Sequence, residues 1–465
     1  MKGKKYFITI IVSLIIGFLI GFFVKEQSVK KSLRYYEKLI GEQVETEEVI
    51  EKQIEVGYGW SIKSDEKLAV NESITKMKQG VKKPEFVVVY ATVTYDLNKI
   101  KNYLKSKLGN AKLFGITSCV GVVTKDGVHI GPKGSIAIMG MRSDKVDFGV
   151  AGRSFTEKEN IKNVAKKVIK QAIKDAGRSI TETPSIVLIG ASPGFEEDLI
   201  AGIEEVIGKD VPIYGGSAAD NTIEGKWAIF VDNKIIRGNG IALAVIYTPL
   251  KVGYAFDSGY RGTAKYGTVT KAEGRLIQEI DNRPAGKVYC EWAGKDKFAD
   301  ALRQGKIILA ESSFTPLAYK LEVEGKTRFV SLHPHKFWPK KNNSLSVFAK
   351  PKVGDTLYLI EGNPKILAVR PQSVLVSALV KSKISQQEMA CGLLIYCAGT
   401  MLAIKDGVEY KGKVYKIDQI VENINKISGD MPYIGAFTFG EQGLIEGYGN
   451  YHGNLMNSMV VFSHR

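Results

Sequence analysis

Apolar runs alternate with amphipathic stretches from about residue 56 onward. FVVVYATV (86–93) is continuously apolar and rich in β-branched residues, so it predicts a strand buried on both faces. Residues 98–108 place Ile100, Tyr103, Leu104 and Leu108 at helical spacing. KLFGITSCVGVV then predicts a strand running into a Gly/Ser/Thr turn, and 135–141 and 146–150 predict two more. A long helix is expected over 156–176, with Thr156 as its cap and Glu159 completing a capping box. SIVLIGASPG (185–194) reads as strand and turn, 195–207 as helix, and VPIYGGSAADN (211–221) as another strand and turn. This rhythm predicts an α/β N-terminal domain with a mixed, largely parallel sheet. Beyond residue 250 the strands are shorter and alternate, as in VGYAF, KYGTVTKA and TLYLIEG. With helices expected at 373–381 and 417–427, they predict an α+β C-terminal domain.

The first residues follow a different pattern. YFITIIVSLIIGFLIGFFV (6–24) is uncharged over 19 residues and is flanked by Lys2, Lys4, Lys5 and Lys25. At 1.5 Å per residue it spans roughly 28 Å, enough for a bilayer core. No A-x-A-like site follows, so it reads as an uncleaved transmembrane helix rather than a secretory leader. Basic residues on both sides leave orientation open under the positive-inside rule. The short basic tail before a long apolar core favours a body outside the cytoplasm. Residues 27–55 carry Leu33, Tyr36, Ile40, Val44 and Ile50 among many Glu and Lys. That spacing suits a helical stalk, either a self-associating one that makes a homo-oligomer or a solvated spacer. The division expected is therefore anchor 1–26, stalk 27–55, and domains 56–250 and 251–465.

Net charge is +16, but its lysines are scattered among acids. Five lysines on 162–174, for instance, share their segment with Glu157, Glu159 and Asp175. That pattern solubilises a surface, and nucleic acid is not an expected partner. Cys119, Cys290, Cys391 and Cys397 form no CxxC pair, and His333-Pro334-His335 lacks a carboxylate partner. No metal site is expected. No cofactor is expected either, because neither GxxxxGK[ST] nor a GxGxxG between strand and helix is present.

The candidate chemistry lies in three turns after apolar strands: 115–119 (GITSC), 190–194 (GASPG) and 215–220 (GGSAAD). Short hydroxyls and free N–H groups at strand C-termini suit a small-molecule pocket, although Gly, Ser and Asp also serve plain turns. The candidate ligand-binding residues are Thr117, Ser118, Cys119, Ser192, Gly216, Ser217 and Asp220. Glu441, in a turn between Gly440 and Gly443, can hold a ligand amine or be a solvated acid. GASPG also matches a hydrolase elbow, GxSxG. There Pro193 follows Ser192 and has no N–H for an oxyanion hole. An enzyme using Cys119, Cys397 or Ser192 as nucleophile is the alternative reading.

In order and spacing these motifs resemble the FIST sensory proteins, which pair an N-terminal with a C-terminal FIST domain. The carrying segments are FGITSCVGVVTKDGV, YGGSAAD, TVTKAEGRLIQEIDNRPAGKVY (268–289) and GAFTFGEQG. His452 and Asn457-Ser458 stand where the family has a His/Asn-rich strand. The resemblance departs at Thr400, where Cys397-Ala398-Gly399 would be followed by Arg, and at Gly453, where Asn would follow His452. It implies a sensor for a small, amino-acid-like molecule, with Asn457 joining the ligand-binding set. It further implies a signalling partner protein, reached from a single-pass membrane anchor.

Overall fold

The computed structural model describes residues 51–465. The expected anchor at 6–24 and most of the expected stalk lie outside the described residues. Among the described residues no helix is long and apolar enough to cross a membrane. The last stalk residues are not helical. The Gln53 N–H donates to the His464 carbonyl at 3.2 Å, Ile54 is buried, and a strand begins at Glu55.

The apolar strands form because each has two faces to bury. In Phe86–Ala91, Val88 and Tyr90 enter a central apolar cluster. Val87 and Val89 pack under helices Glu66–Met77 and Leu97–Leu108. In Ile186–Ala191, Ile186 and Leu188 face the same central cluster. Val187 and Ile189 face helices Ile161–Asp175 and Glu196–Ile207. Two-sided burial is why these runs lack the polar alternation of an exposed sheet.

Three six-stranded sheets meet at the central cluster. The first runs Glu55–Ser61, Ile136–Arg142, Phe86–Ala91, Lys112–Thr117, Ala228–Val231, Lys234–Arg237. The second runs Gly449–Gly453, Glu441–Ile445, Ile213–Ser217, Ile186–Ala191, Gly240–Tyr247, Asp147–Ser154. The third runs Val252–Asp257, Asn457–Ser463, Met389–Cys397, Tyr433–Thr438, Val122–Thr124, Gly127–His129. The second sheet thus takes two strands from the C-terminal half, and the third takes two from the N-terminal half. A fourth, eight-stranded sheet has its own apolar cluster beneath helices Ala285–Ala293 and Lys295–Gln304.

The chain is mixed α/β, but its sheets are not largely parallel. Among the described residues three pairings are parallel: Phe86–Ala91 with Lys112–Thr117, Ile186–Ala191 with Ile213–Ser217, and Met389–Cys397 with Tyr433–Thr438. Each is bridged by helical crossover, which a parallel pair requires. The rest pair antiparallel, some as local hairpins and some with strands from the other half. Strand composition does not reveal which neighbour a strand will take.

Two helix starts also differ from expectation. The long helix begins at Ile161 rather than 156. Glu159 closes the preceding turn by accepting the Thr156 N–H at 2.9 Å, and it is held there by Arg153. Asn160 then caps the helix through the Asn163 N–H at 3.0 Å. The helix expected from 373 begins at Pro364, capped by Asn363, and runs through Pro371 to Ser382. Proline removes the N–H that would bond the Leu367 carbonyl. Tyr396 supplies its hydroxyl to that carbonyl at 2.9 Å, so nothing is left unpaired there.

The sheet and helix at Gly149 touch backbone to backbone: a Cβ there would lie 2.1 Å from the Ala172 carbonyl oxygen. Gly149→Val should therefore cost about 2–3 kcal/mol, read as a lower urea midpoint at unchanged m-value. An unchanged midpoint would mean the helix can move away freely.

Candidate functional site

Four strands end at one place. Lys112–Thr117, Ile186–Ala191 and Ile213–Ser217 come from the N-terminal half, and Tyr433–Thr438 comes from the C-terminal half. Their turns are stitched together by backbone. The Cys119 N–H donates to Phe437 O at 2.9 Å, and the Ala219 N–H to Thr117 O at 2.8 Å. The Ala218 N–H donates to Ala191 O and the Ser217 N–H to Gly440 O, both at 2.8 Å. Glu441 stands opposite Gly216, and Gln442 opposite Gly215. The fold thereby gathers Thr117, Ser118, Cys119, Ser192, Gly216, Ser217 and Glu441. Asn457 adjoins them on the next strand, because the Met456 N–H donates to Glu441 Oε2 at 2.9 Å.

The gathered hydroxyls are already occupied. Thr117 Oγ1 accepts the Ala228 N–H at 2.9 Å, and Ser192 Oγ accepts the Gly240 N–H at 3.0 Å. Ser118 Oγ donates to Gly121 O and accepts the Phe437 N–H. Asp220 is turned aside, where its carboxylate accepts the N–H groups of Thr222, Ile223, Glu224 and Lys226. These side chains hold the turns in shape. The glycines have a steric reason. A Cβ on Gly440 would lie 2.4 Å from His452 Nε2, and one on Gly216 would lie 2.5 Å from Thr438 Cγ2.

Two polar clusters adjoin this junction. In the first, Glu196 and Glu197 begin the helix after the GASPG turn. Arg275, from the C-terminal half, donates to Glu196 Oε2 at 2.6 Å and to Glu197 Oε2 at 3.2 Å. His452 Nδ1 bonds Glu197 Oε1 at 2.9 Å, and Ser217 Oγ donates to Glu196 Oε1 at 2.6 Å. Burial opposes every charge here, but the Arg275 and His452 cations hold both carboxyls below the usual range. The carboxylates in turn hold His452 above its ordinary 6.5. The ligand atoms of Glu196, Glu197 and His452 lie within 4.8 Å of one another, as a metal centre would need. Two carboxylates facing two cations already balance, so the residues present do not call for an ion.

The second cluster surrounds Glu441, Arg370 and Asn457. Glu441 is fully buried, and its hydrogen bonds come from the Thr438 hydroxyl at 2.7 Å and the Met456 N–H. Burial pushes its carboxyl up to about 7. Arg370 donates to the carbonyls of Ser258 and Leu455 at 2.9 and 2.6 Å, and to Thr400 Oγ1 at 2.7 Å. A guanidinium therefore does reach the Thr400 position, but from helix Pro364–Ser382. Both amide atoms of Asn457, the Ser258 hydroxyl and Arg370 Nε are buried without a hydrogen-bond partner.

The residues missed by sequence reading are Glu196, Glu197, Arg275 and Arg370. Acids in a first helical turn and an arginine in a hairpin are ordinary where they stand, and only packing gives them one another. The nucleophile candidates lack activation. Burial pushes Cys119 up to about 12 and Cys397 further, and Ser192 has no base among its hydrogen-bond partners. A cavity of about 830 Å³ lies at the opposite end of the strands, beside Lys82, Lys83, Lys112 and Arg142.

Comparison with known proteins gives three findings. The FIST N domain model matches residues 85–283, and the FIST C domain model matches 285–444. An uncharacterized protein of Methanocaldococcus jannaschii is 33% identical over 91 residues. That match covers 19% of this chain and 18% of the relative's length. A solved cyanuric acid hydrolase from A. caulinodans aligns over 88% of this chain and 99% of its own. Its identity is 8% and its TM-score 0.34, too low to bear on fold or chemistry.

Two outcomes follow from the geometry. His452→Gln should destabilise the chain by about 3–5 kcal/mol at pH 6, because it strips a cation from buried carboxylates. The raised His452 group adds stability that is fully present below its ordinary 6.5 and is lost as pH rises through its folded value. The lowered Glu196 and Glu197 add stability above their ordinary 4.5 that is lost on acidification. Stability against pH should fall on both sides of that window, and His452→Gln should flatten the alkaline limb. Iodoacetamide at pH 7 should label Cys119 and Cys397 slowly in the native chain and rapidly in urea; fast native labelling would revive a thiol nucleophile.

Proposed function

The chain belongs to the FIST-domain proteins, and we propose that it senses a small amino-acid-like molecule at the junction of its two halves. FIST domains are associated with sensory and ligand-binding roles. The observation that carries the finer reading is Glu441. It is a fully buried carboxyl, placed where strands of both halves meet, and its partners are a hydroxyl and an N–H rather than a cation. Arg370 and His452 act on it only through space, and a ligand ammonium seated there would give it a directly bonded cation. Because Glu441 also pairs with Gly216 through the backbone, ligand binding would act on both halves at once.

In this proposal residues 6–24 anchor the chain in a membrane, with the body outside the cytoplasm. Residues 27–50 lead to the sensor, and a separate signalling protein receives the output. The apolar run and its lysine flanks support the anchor.

The test is a thermal-shift screen of the full-length chain in mild detergent against the L-amino acids. A compound at 100 times its Kd should add about 2.7 kcal/mol of stability. Glu441→Gln should lose about 1–3 kcal/mol of that compound's affinity. A hit that binds Glu441→Gln as tightly as the wild type would remove Glu441 from the site. A wild-type chain unmoved by every amino acid would overturn the amino-acid reading.

A further inference from the structure

The unpartnered polar atoms beside Glu441 are of matching kinds. Arg370 Nε and Asn457 Nδ2 are donors, the Ser258 hydroxyl can donate, and Asn457 Oδ1 accepts. All three residues are at least nine-tenths buried. Buried polar groups ordinarily find partners, and several orphans in one place mark a position meant to be filled.

The topology brings these atoms together. Asn457 pairs in register with Tyr396 on one side and with Asp257 on the other, and directly opposed residues project to the same face of a sheet. The Arg370 guanidinium carbon lies 4.8 Å from the Tyr396 ring centroid, over that face. Arg370 also bonds the carbonyls of Ser258, next to Asp257, and of Leu455 and Met456, the two residues before Asn457. Its bonds go to carbonyls and to the Thr400 hydroxyl, and none goes to a carboxylate. Glu441 acts on this buried guanidinium through space but is not bonded to it, so Arg370 Nε is left with a donor that a bound anion can take.

We propose that Arg370, Asn457 and Ser258 form the seat for a carboxylate of the ligand, so that the molecule sensed carries a free carboxylate group. This rests on the reading that the chain binds an amino-acid-like compound. It moves the anionic end of that compound away from the turns at Thr117–Cys119 and Ser217, whose donors are engaged. The seat and Glu441 lie on either side of Met456, whose carbonyl accepts from Arg370 and whose N–H donates to Glu441. That spacing suits a molecule whose ammonium and carboxylate groups are close together.

The experiment compares each L-amino acid with its α-methyl ester on the full-length chain in mild detergent, by thermal shift and then calorimetry. The free acid should bind at least tenfold more tightly than the ester. Ser258→Ala and Asn457→Leu remove atoms that have no partner, so the unliganded melting temperature should hold or rise while affinity for the free acid falls tenfold or more. Asn457→Asp, which sets a carboxylate in the seat, should abolish binding. If acid and ester bind alike, or if the variants bind like the wild type, the seat holds only ordered water and the inference is overturned, while the sensor reading stands. If no compound binds the wild-type chain, the sensor reading itself falls and the seat falls with it.

Discussion

Most of this molecule depends on one short antiparallel pairing, Glu441 and Gln442 against Gly216 and Gly215. It carries two C-terminal strands into a sheet otherwise built by the N-terminal half. A reciprocal pairing, Val122–Thr124 beside Tyr433–Thr438, carries N-terminal strands the other way. With strands exchanged in both directions, two of the six-stranded sheets are completed only by both halves together. The close approach tolerates no Cβ at Gly216 or Gly440, which gives the Gly-Gly-Ser and Gly-Glu motifs a packing cause.

The same junction concentrates charge that burial makes expensive. Glu196 and Glu197 are matched by Arg275 and His452, and the match crosses from one half to the other. Its charges balance, although Arg275 Nε is left without a hydrogen-bond partner. Beside Glu441 more is unpartnered: both amide atoms of Asn457, the Ser258 hydroxyl and Arg370 Nε. Buried polar atoms gathered without partners are where a polar molecule can be received. The larger group of unpartnered atoms, around Asn457, marks the candidate site better than the strand-end turns, whose hydroxyls are engaged.

Local patterns were legible where one residue type has one use. FVVVYA and SIVLIGA were readable as doubly buried strands, and both are buried at every position from Phe86 to Ala91 and from Ile186 to Ala191. Glu441 and Asn457 were readable as candidates through the motifs around them. Asp220 also stood in a motif, but four backbone N–H groups claim its carboxylate. A turn acid that binds its own loop looks in sequence like one that binds a ligand. The helix expected at 373–381 begins at Pro364 and runs through Pro371, and nothing local shows that Tyr396 will take the carbonyl that proline frees.

The sequence by itself determined the mixed α/β class, the positions of the buried strands and the glycine-rich turns at their ends, because periodicity and steric demand act over a few residues. Tertiary structure alone decided which strands pair, that they pair antiparallel for the most part, and that two sheets are shared between the halves. It also decided which charges meet. Arg370 and Thr400, or Glu197 and His452, are far apart along the chain, and each is unremarkable in its own segment. Their chemistry comes from burial beside one another, and burial is a property of the packed chain.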